Sequence, residues 1–390
     1  VSPADRRDPS ARRGGPSWRG FAALLALAGV IGAVVAIVLI NGTGGGGSAS
    51  TPSTAVSRRT TATTAATPAP PRRNLGPARL AFADSGVRLP GPRQSPAALT
   101  LAAGQALLVG GLNAGGQPTA RVLRVTPTEV AVSGRLPRPL SEAASATVSG
   151  SAYVFGGSGG AGGSAVSAVG GAGATGSTGA AGSGGAGGAP TSDILRIDPA
   201  GTAQVVDHLP APATGAGAAS IGANAYVVGG FDGSHYLTSI VAWQPGVGAH
   251  IVAALPVGLR DPAVAAIGGQ LVIAGGTTPK GPSRALYGYD PSGTQVIGIG
   301  PLPQPLTHAQ AVVLHGRMFL LGGETSVQGT QTDAILEYDP VNAHVSPAGR
   351  LPAPLSDAGV AAIGDQVVLA GGIDDSGRVH DEVYLGSLSG

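Results

Sequence analysis

Two dipeptides recur along this chain in step with each other, and no other feature of the sequence restricts the fold as much. Leu-Pro stands at 89–90, 136–137, 209–210, 255–256, 302–303 and 351–352, and Gly-Gly at 110–111, 156–157, 229–230, 275–276, 322–323 and 371–372. Both series advance by 46 to 49 residues, apart from one step of 73 that they share. The long step holds a Gly/Ala/Ser-rich insert, residues 158–191, and removing about 26 residues there restores the register. A fixed period of this length marks a repeat architecture in which each unit is one supersecondary element.

Each unit reads the same way. After Leu-Pro comes a small-residue run such as AALTL, ASATV or AVAAI, then a Gly-containing turn, then a second apolar run that ends in Gly-Gly, as in ALLVGG, AYVFGG and LVIAGG. Short continuous apolar runs bounded by turn residues are strands buried on both faces. A third run follows a variable loop, as in DILRIDP or AILEYDP, whose Asp-Pro opens a tight turn. A more polar fourth run returns to the next Leu-Pro. Four strands in about 47 residues make one propeller blade. Small residues suit the innermost strand, which crowds the axis, and the glycine pair lets backbones approach closely. The last unit stops after its third run, EVYLGS, at Ser389-Gly390, while Ala78–Arg88, ARLAFADSGVR, stands where a fourth strand stands in every other repeat. Pairing the two would close the ring and hide both sheet edges. Residues 78–390 are therefore expected to form an all-β, six-bladed β-propeller, with 78–88 closing the last blade.

The double glycine, the Tyr289-Asp290-Pro291 and Tyr338-Asp339-Pro340 ends of third strands, and the period together resemble Kelch repeats over residues 78–390. Kelch repeats normally carry a Trp in the fourth strand. None of these six does, and Trp243 lies in a third strand instead. The resemblance implies a propeller whose usual role is protein or ligand binding, although fold alone does not give function. Copper radical oxidases with Kelch propellers need a Tyr–Cys crosslink, and this chain has no cysteine. Some bacterial six-bladed Kelch proteins resemble sugar-anomer mutarotases, which need only acid/base side chains at the channel mouth. The aspartate boxes of sialidases are absent.

Ahead of the repeats, residues 21–40 run for 20 positions without a charge, FAALLALAGVIGAVVAIVLI. A helix rising about 1.5 Å per residue matches the roughly 30 Å hydrocarbon core, so a transmembrane signal anchor is expected there. A cleaved signal peptide, the alternative, has an apolar stretch of only about 7–15 residues. Arg6, Arg7, Arg12, Arg13 and Arg19 precede the span, which puts a basic tail, residues 1–20, in the cytoplasm and everything after Ile40 outside the cell. Residues 41–77 are Gly, Ser, Thr, Ala and Pro with little to bury, the composition of a disordered stalk. The expected location is thus the cell membrane, single-pass, with the propeller extracellular.

The formal charge of +2 hides an asymmetry. Residues 1–77 carry nine Arg against Asp5 and Asp8, a net +7, which leaves −5 for residues 78–390. An acidic domain in a chain with 4% aromatics lacks the clustered cations and stacking rings that nucleic acid requires. The absence of cysteine removes disulfides, thiolate catalysis and cysteine-ligated metals. No cofactor or metal is expected, and nothing in the pattern calls for more than a monomer.

Aligning the units on Leu-Pro points to a site. The fifth residue beyond each Pro, where the chain turns into an innermost strand, is Ser95, Glu142, Gly215, Asp261, His308 or Asp357, and the residue before it is Gln94, Ser141, Thr214, Arg260, Thr307 or Ser356. Four of the six rim positions are ionisable in a chain that is only 11% charged. Such a rim could hold a ligand or poise a general acid/base pair. Polar residues there also cap turn amides or hold channel water. Opposite blades are too far apart for one metal ion. Among the loops after Gly-Gly, Phe231-Asp232-Gly233-Ser234-His235-Tyr236 has the side chains of a recognition loop, chiefly Phe231, His235 and Tyr236. Ile373-Asp374-Asp375-Ser376-Gly377 lacks the remaining ligands of a calcium loop and reads as a solvated turn. Glycine motifs within 158–191 arise from composition, and the insert is expected to be a disordered flap. The expected function is a cell-surface binding module whose rim and loops hold a protein, peptide or glycan. A sugar-processing enzyme of mutarotase or epimerase type and a structural envelope protein are the alternatives, and scarce aromatics weigh against glycan stacking.

Overall fold

The computed structural model describes residues 78–101, 104–159, 188–325 and 330–389. The tail, the transmembrane helix and the stalk expected for residues 1–77 lie outside the described residues, as do positions 160–187 of the insert. Among the described residues no helix is long and apolar enough to cross a membrane.

The repeats fold into a six-bladed, all-β propeller. The innermost strands are Ala97–Leu101, Ala144–Val148, Gly217–Ile221, Ala263–Ile267, Gln310–Leu314 and Gly359–Ile363, which number blades 1 to 6 in chain order. Each pairs antiparallel with the strand that runs into Gly-Gly, and a third and a fourth strand complete the sheet outward. In blade 6 the fourth strand is Arg79–Arg88, paired antiparallel with Glu382–Ser389 from Arg79 opposite Ser389 to Arg88 opposite Glu382. The register between third and fourth strands breaks once or more in every blade, and these irregularities twist the polar outer strands away from the flat edge that would recruit another chain.

The two dipeptides have distinct jobs. Both glycines of every Gly-Gly pair have positive φ, 58–68° at the first, and a Cβ on that first glycine would lie 2.0–2.3 Å from a carbonyl oxygen of the segment leading into the next blade. The amide of the second glycine donates to that same oxygen, for example Gly111 N to Leu140 O at 2.8 Å. Only glycine supplies the left-handed backbone and the close approach together. The leucines of Leu-Pro are all buried and wedge between blades. The apolar residues form six clusters, each between two neighbouring blades, so the core is a ring of six interfaces around the channel.

Two details differ from a uniform repeat. The fourth strand of blade 1, Val130–Ser141, runs on through Leu136-Pro137 because Leu140 and Ser141 pair with Gly159 and Ser158. Ser158 also bridges Pro190, and Thr191 N donates to Gly157 O, so the ends of the 158–191 insert belong to the sheet rather than to a flap. Trp243, on a third strand, is buried edge-on against Tyr153 and Phe155 at centroid distances of 4.6 and 5.6 Å, and its indole N–H donates to Asp207 at 2.8 Å. That places the large aromatic of blade 3 at the interface with blade 2.

Candidate functional site at the channel mouth

The six rim residues form a closed circle of backbone hydrogen bonds. Each amide donates to the carbonyl of the preceding blade's rim residue: Glu142 to Ser95, Gly215 to Glu142, Asp261 to Gly215, His308 to Asp261, Asp357 to His308 and Ser95 to Asp357, at 2.6–3.2 Å. All six have φ between 49 and 61°, the left-handed region. A non-glycine residue there costs about 1–2 kcal/mol, with Asp and His among the better tolerated. Each residue adopts it because that conformation turns both its amide and its carbonyl along the circle, leaving no orphaned backbone group at the mouth.

The circle aims the side chains at one another. Arg260 donates to Glu142 Oε2 at 2.7 Å, and Thr214 donates to the same oxygen at 2.9 Å. The Nε of Arg260 lies 3.3 Å from Asp261 Oδ2, while His308 faces Asp261 through Nε2 at 3.4 Å and Asp357 through Nδ1 at 3.0 Å. Ser356 donates to Asp357 Oδ2 at 3.2 Å. Glu142, Arg260, Asp261, His308 and Asp357 thus alternate in charge along an arc from blade 2 to blade 6.

Gly215 is what lets the arc run unbroken. A Cβ there would lie 2.4 Å from Asp261 Oδ1 and 2.8 Å from Arg260 Cγ, so the missing side chain of blade 3 is the space through which Arg260 reaches blade 2. In the sequence Gly215 looks like a vacant rim position. In the fold it is the passage for the longest side chain of the site.

Burial and neighbours set the protonation of the trio. Burial, against the pull of His308 and Arg260, pushes the Asp261 carboxyl up to about 6. Burial also opposes a charge on His308, but Asp261 and Asp357 outweigh it and hold the imidazole well above its usual value. For Asp357 the same burial is overcome by His308 and by hydrogen bonds from His308, Ser95 and Ser356, which keep the carboxyl below its usual range. An imidazole with a carboxylate at each nitrogen needs two ring protons, or one ring proton and one on a carboxyl. A raised Asp261 beside a protonated His308 is a place where a proton is shared near neutral pH.

Beneath the circle lies a cavity of about 190 Å³, walled three residues further on by Ala98, Ser145, Ala218, Val264, Ala311 and Val360. Side-chain hydrogen bonds stitch one side of the wall. Ser145, Thr147 and Thr100 donate to Ala98 O, Thr100 O and Ala362 O at 2.7–2.8 Å, joining blades 6, 1 and 2.

All the rim residues expected from the sequence line the mouth or touch its network. Ser95 lines the cavity and bonds Asp357. Phe231 lies under Arg260, 5.8 Å from guanidinium carbon to ring centroid, and packs edge-on against Tyr236 at 5.5 Å. His235 stands apart, exposed and 3.5 Å from Asp232, and joins no rim group. The Asp374 carboxylate is spent inside its own turn on Ser376 and Arg378 and on His380, which leaves it nothing for a cation.

A second ring escaped the Leu-Pro alignment. The residue after Gly-Gly, one of Leu112, Ser158, Phe231, Thr277, Glu324 or Ile373, bridges the residue that precedes the rim position of its own blade. Aligning on Gly-Gly instead would have found it. It brings Glu324 close enough to raise His308 further and sets Thr277 Oγ1 2.7 Å from Thr307 Oγ1.

No family model matches the chain, and no curated protein resembles it in sequence. Among solved structures, one titled "Structure of YjhT" matches with a TM-score of 0.61 at 15% identity, covering 78% of this chain and 99% of that one. That likeness establishes the fold. At so low an identity it carries nothing further, and the chemistry rests on the residues described above.

Proposed function

We propose that this chain is a Kelch-type binding module, held at the cell surface by its N-terminal segment and acting as a monomer, which takes the polar end of a protein, peptide or glycan partner into the channel mouth. One observation carries this reading: side chains from separate blades converge on a single cavity, held there by a backbone circle that fixes their direction. A concave site with few convergent polar groups is the usual form of a ligand pocket. The loop bearing Phe231 and Tyr236 borders it and supplies the apolar contact that the arc lacks. To test this, the full-length chain would be compared with a Glu142→Gln, Asp261→Asn, His308→Gln, Asp357→Asn variant in capture from envelope extract. A partner held by the native chain and lost by a variant of unchanged circular dichroism supports the reading. Equal capture by both, or capture by neither, defeats it.

A second reading is favoured by the raised Asp261 beside His308, because an acid poised near neutral pH suits proton transfer. In a sugar-anomer exchange, one group removes the proton of the anomeric hydroxyl while the other protonates the ring oxygen. The ring opens and recloses with no net consumption of protons. NMR of a freshly dissolved reducing sugar would show faster approach to anomeric equilibrium with the native chain than with Asp261→Asn. Identical rates remove this reading and leave the first untouched.

A further inference from the structure

The same alignment that defines the rim sets a groove in every blade, between the segment after Leu-Pro and the start of the third strand. The third residue beyond Pro points its side chain into that groove. It is Leu140, Ala213, Leu259, Leu306 or Leu355 in blades 2 to 6, all buried, and in blade 1 it is Arg93, which is equally buried at 3% exposure. Its backbone does what the leucines' backbone does, accepting from Gly372 N at 2.8 Å. Its Nη1 donates to Gly110 O at 2.8 Å, and its Nε is buried with no hydrogen-bond partner.

The neighbours of Arg93 make this more costly rather than less. The third-strand position of the groove is Arg121 in blade 1, Asp193 in blade 2 and Glu382 in blade 6, and the residue opposite on the fourth strand is Arg135, His208 and Arg88 respectively. In blade 2 the groove is a cavity of about 150 Å³, in which Asp193 takes Arg138 from the leading segment and His208 at 3.2 Å. In blade 6 Glu382 lies in register with Arg88, and its carboxylate takes Arg378 at 2.8 Å and His380 at 2.9 Å. Blade 1 keeps the same backbone with the carboxylate replaced by a second arginine facing a third. Where blade 2 has Arg138, blade 1 has Gly91, and the space a side chain would take there is open. Arg121 and Arg135 are both exposed, and among the described residues none of the three arginines has a carboxylate within ion-pair distance.

A like-charged pair directly opposite on adjacent strands is destabilising, and a buried guanidinium without a counter-ion is more so. Burial, with the charge of Arg121 added, pushes Arg93 down only to about 10, so it stays ionised at neutral pH. The leucine found at this position in blades 2, 4, 5 and 6 would avoid the burial penalty and leave only the exposed Arg121 and Arg135 pair. From this internal contrast we infer that the blade-1 groove is an oxyanion site, in which Arg93, Arg121 and Arg135 hold a phosphate group that enters over Gly91. Guanidinium groups match phosphate oxygens with paired hydrogen bonds, and a dianion supplies the countercharge the groove lacks among the described residues. The site is separate from the channel mouth and stands or falls without it.

The test uses the full-length chain in a non-ionic detergent, with inorganic phosphate and glycerol phosphate as probes in parallel arms against chloride at matched ionic strength. The native chain should gain melting temperature saturably with phosphate and not with chloride, and the arm that saturates at lower concentration distinguishes a phosphate ester from the free ion. Arg93→Leu restores the residue of blades 2, 4, 5 and 6. It should fold, melt higher than the native chain without phosphate, and lose affinity by about tenfold or more, the loss expected for charged hydrogen bonds. Arg121→Ser, which copies Ser239 of blade 3, should lose the phosphate response in the same way. No phosphate-specific shift in the native chain, or an equal shift in both variants, overturns the assignment.

Discussion

The channel mouth and the blade-1 groove both gather ionisable side chains in this weakly charged propeller, and they handle desolvation in opposite ways. At the mouth each charge lies beside its opposite, from Glu142 through Arg260, Asp261 and His308 to Asp357. In the groove Arg93, Arg121 and Arg135 share one sign. The difference teaches that one repeat backbone supports both solutions. The closed circle of rim amides fixes directions at the mouth, while the groove of each blade takes whatever side chains its own third and fourth strands bring.

The largest effect that separates the two regions comes from removing one arginine from each. Arg260→Leu leaves Glu142 and Asp261 facing each other without the cation between them, in a site where their side chains are 17% and 12% exposed. Breaking a buried pair in this way should cost about 3 kcal/mol at pH 7. Arg93→Leu removes a charge that no carboxylate balances among the described residues, and it should stabilise the phosphate-free protein by about 1 kcal/mol or more. Urea denaturation of the two variants reads both signs in one experiment. Destabilisation by both would mean that Arg93 has a countercharge after all, and stabilisation by both would mean that the arc is not a coupled network.

These arginines also mark where the sequence stops being legible. The propeller follows from the dipeptide period because Gly-Gly and Leu-Pro carry the docking geometry of every blade. The rim follows from counting, since a residue at a fixed distance from Leu-Pro occupies the same place six times. What counting misses is reach. That Arg260 crosses over Gly215 to blade 2 depends on side-chain length and on a missing Cβ in the neighbouring blade, neither of which is periodic. Arg93 was visible in the same alignment, three residues past Leu-Pro, but an arginine among turn prolines looks solvated until the fold shows that its equivalents are core leucines. The ring after Gly-Gly was hidden by its mixed character, with Leu112 and Ile373 beside Glu324.

A middle-sized effect sharpens the electrostatics of the mouth. Asp261 is raised in the folded protein, so its contribution to stability is fully present below the unfolded carboxyl value of about 4 and is lost as pH rises through about 6. His308 is raised as well, and its contribution is lost only as pH climbs through its higher folded value. Asp357 is lowered and acts oppositely, contributing above about 4 and losing that contribution as pH falls through its depressed value. The stability difference between native and Asp261→Asn should therefore move against the native chain between pH 4 and 8, by on the order of 2 kcal/mol. A flat difference across that range would show that Asp261 titrates as an ordinary surface carboxyl, and the case for a shared proton with His308 would go with it.

The smallest effect rebuilds the groove in the image of its neighbours. Arg135→Glu sets a carboxylate opposite Arg121, the reverse of the Glu382 and Arg88 register in blade 6. A cross-strand pair of opposite charges is worth about 0.2–1 kcal/mol, and the native pair of like charges is unfavourable by a similar amount, so the phosphate-free variant should be slightly more stable than the native chain. The gain should shrink with added salt, because both side chains are exposed. The stronger consequence concerns the anion. With an internal carboxylate in place, phosphate meets repulsion where it met a third guanidinium, and its stabilising effect should fall away even though Arg93 and Arg121 are unchanged. A variant that gains stability yet still responds fully to phosphate would place the anion on Arg93 and Arg121 alone and exclude Arg135 from the site.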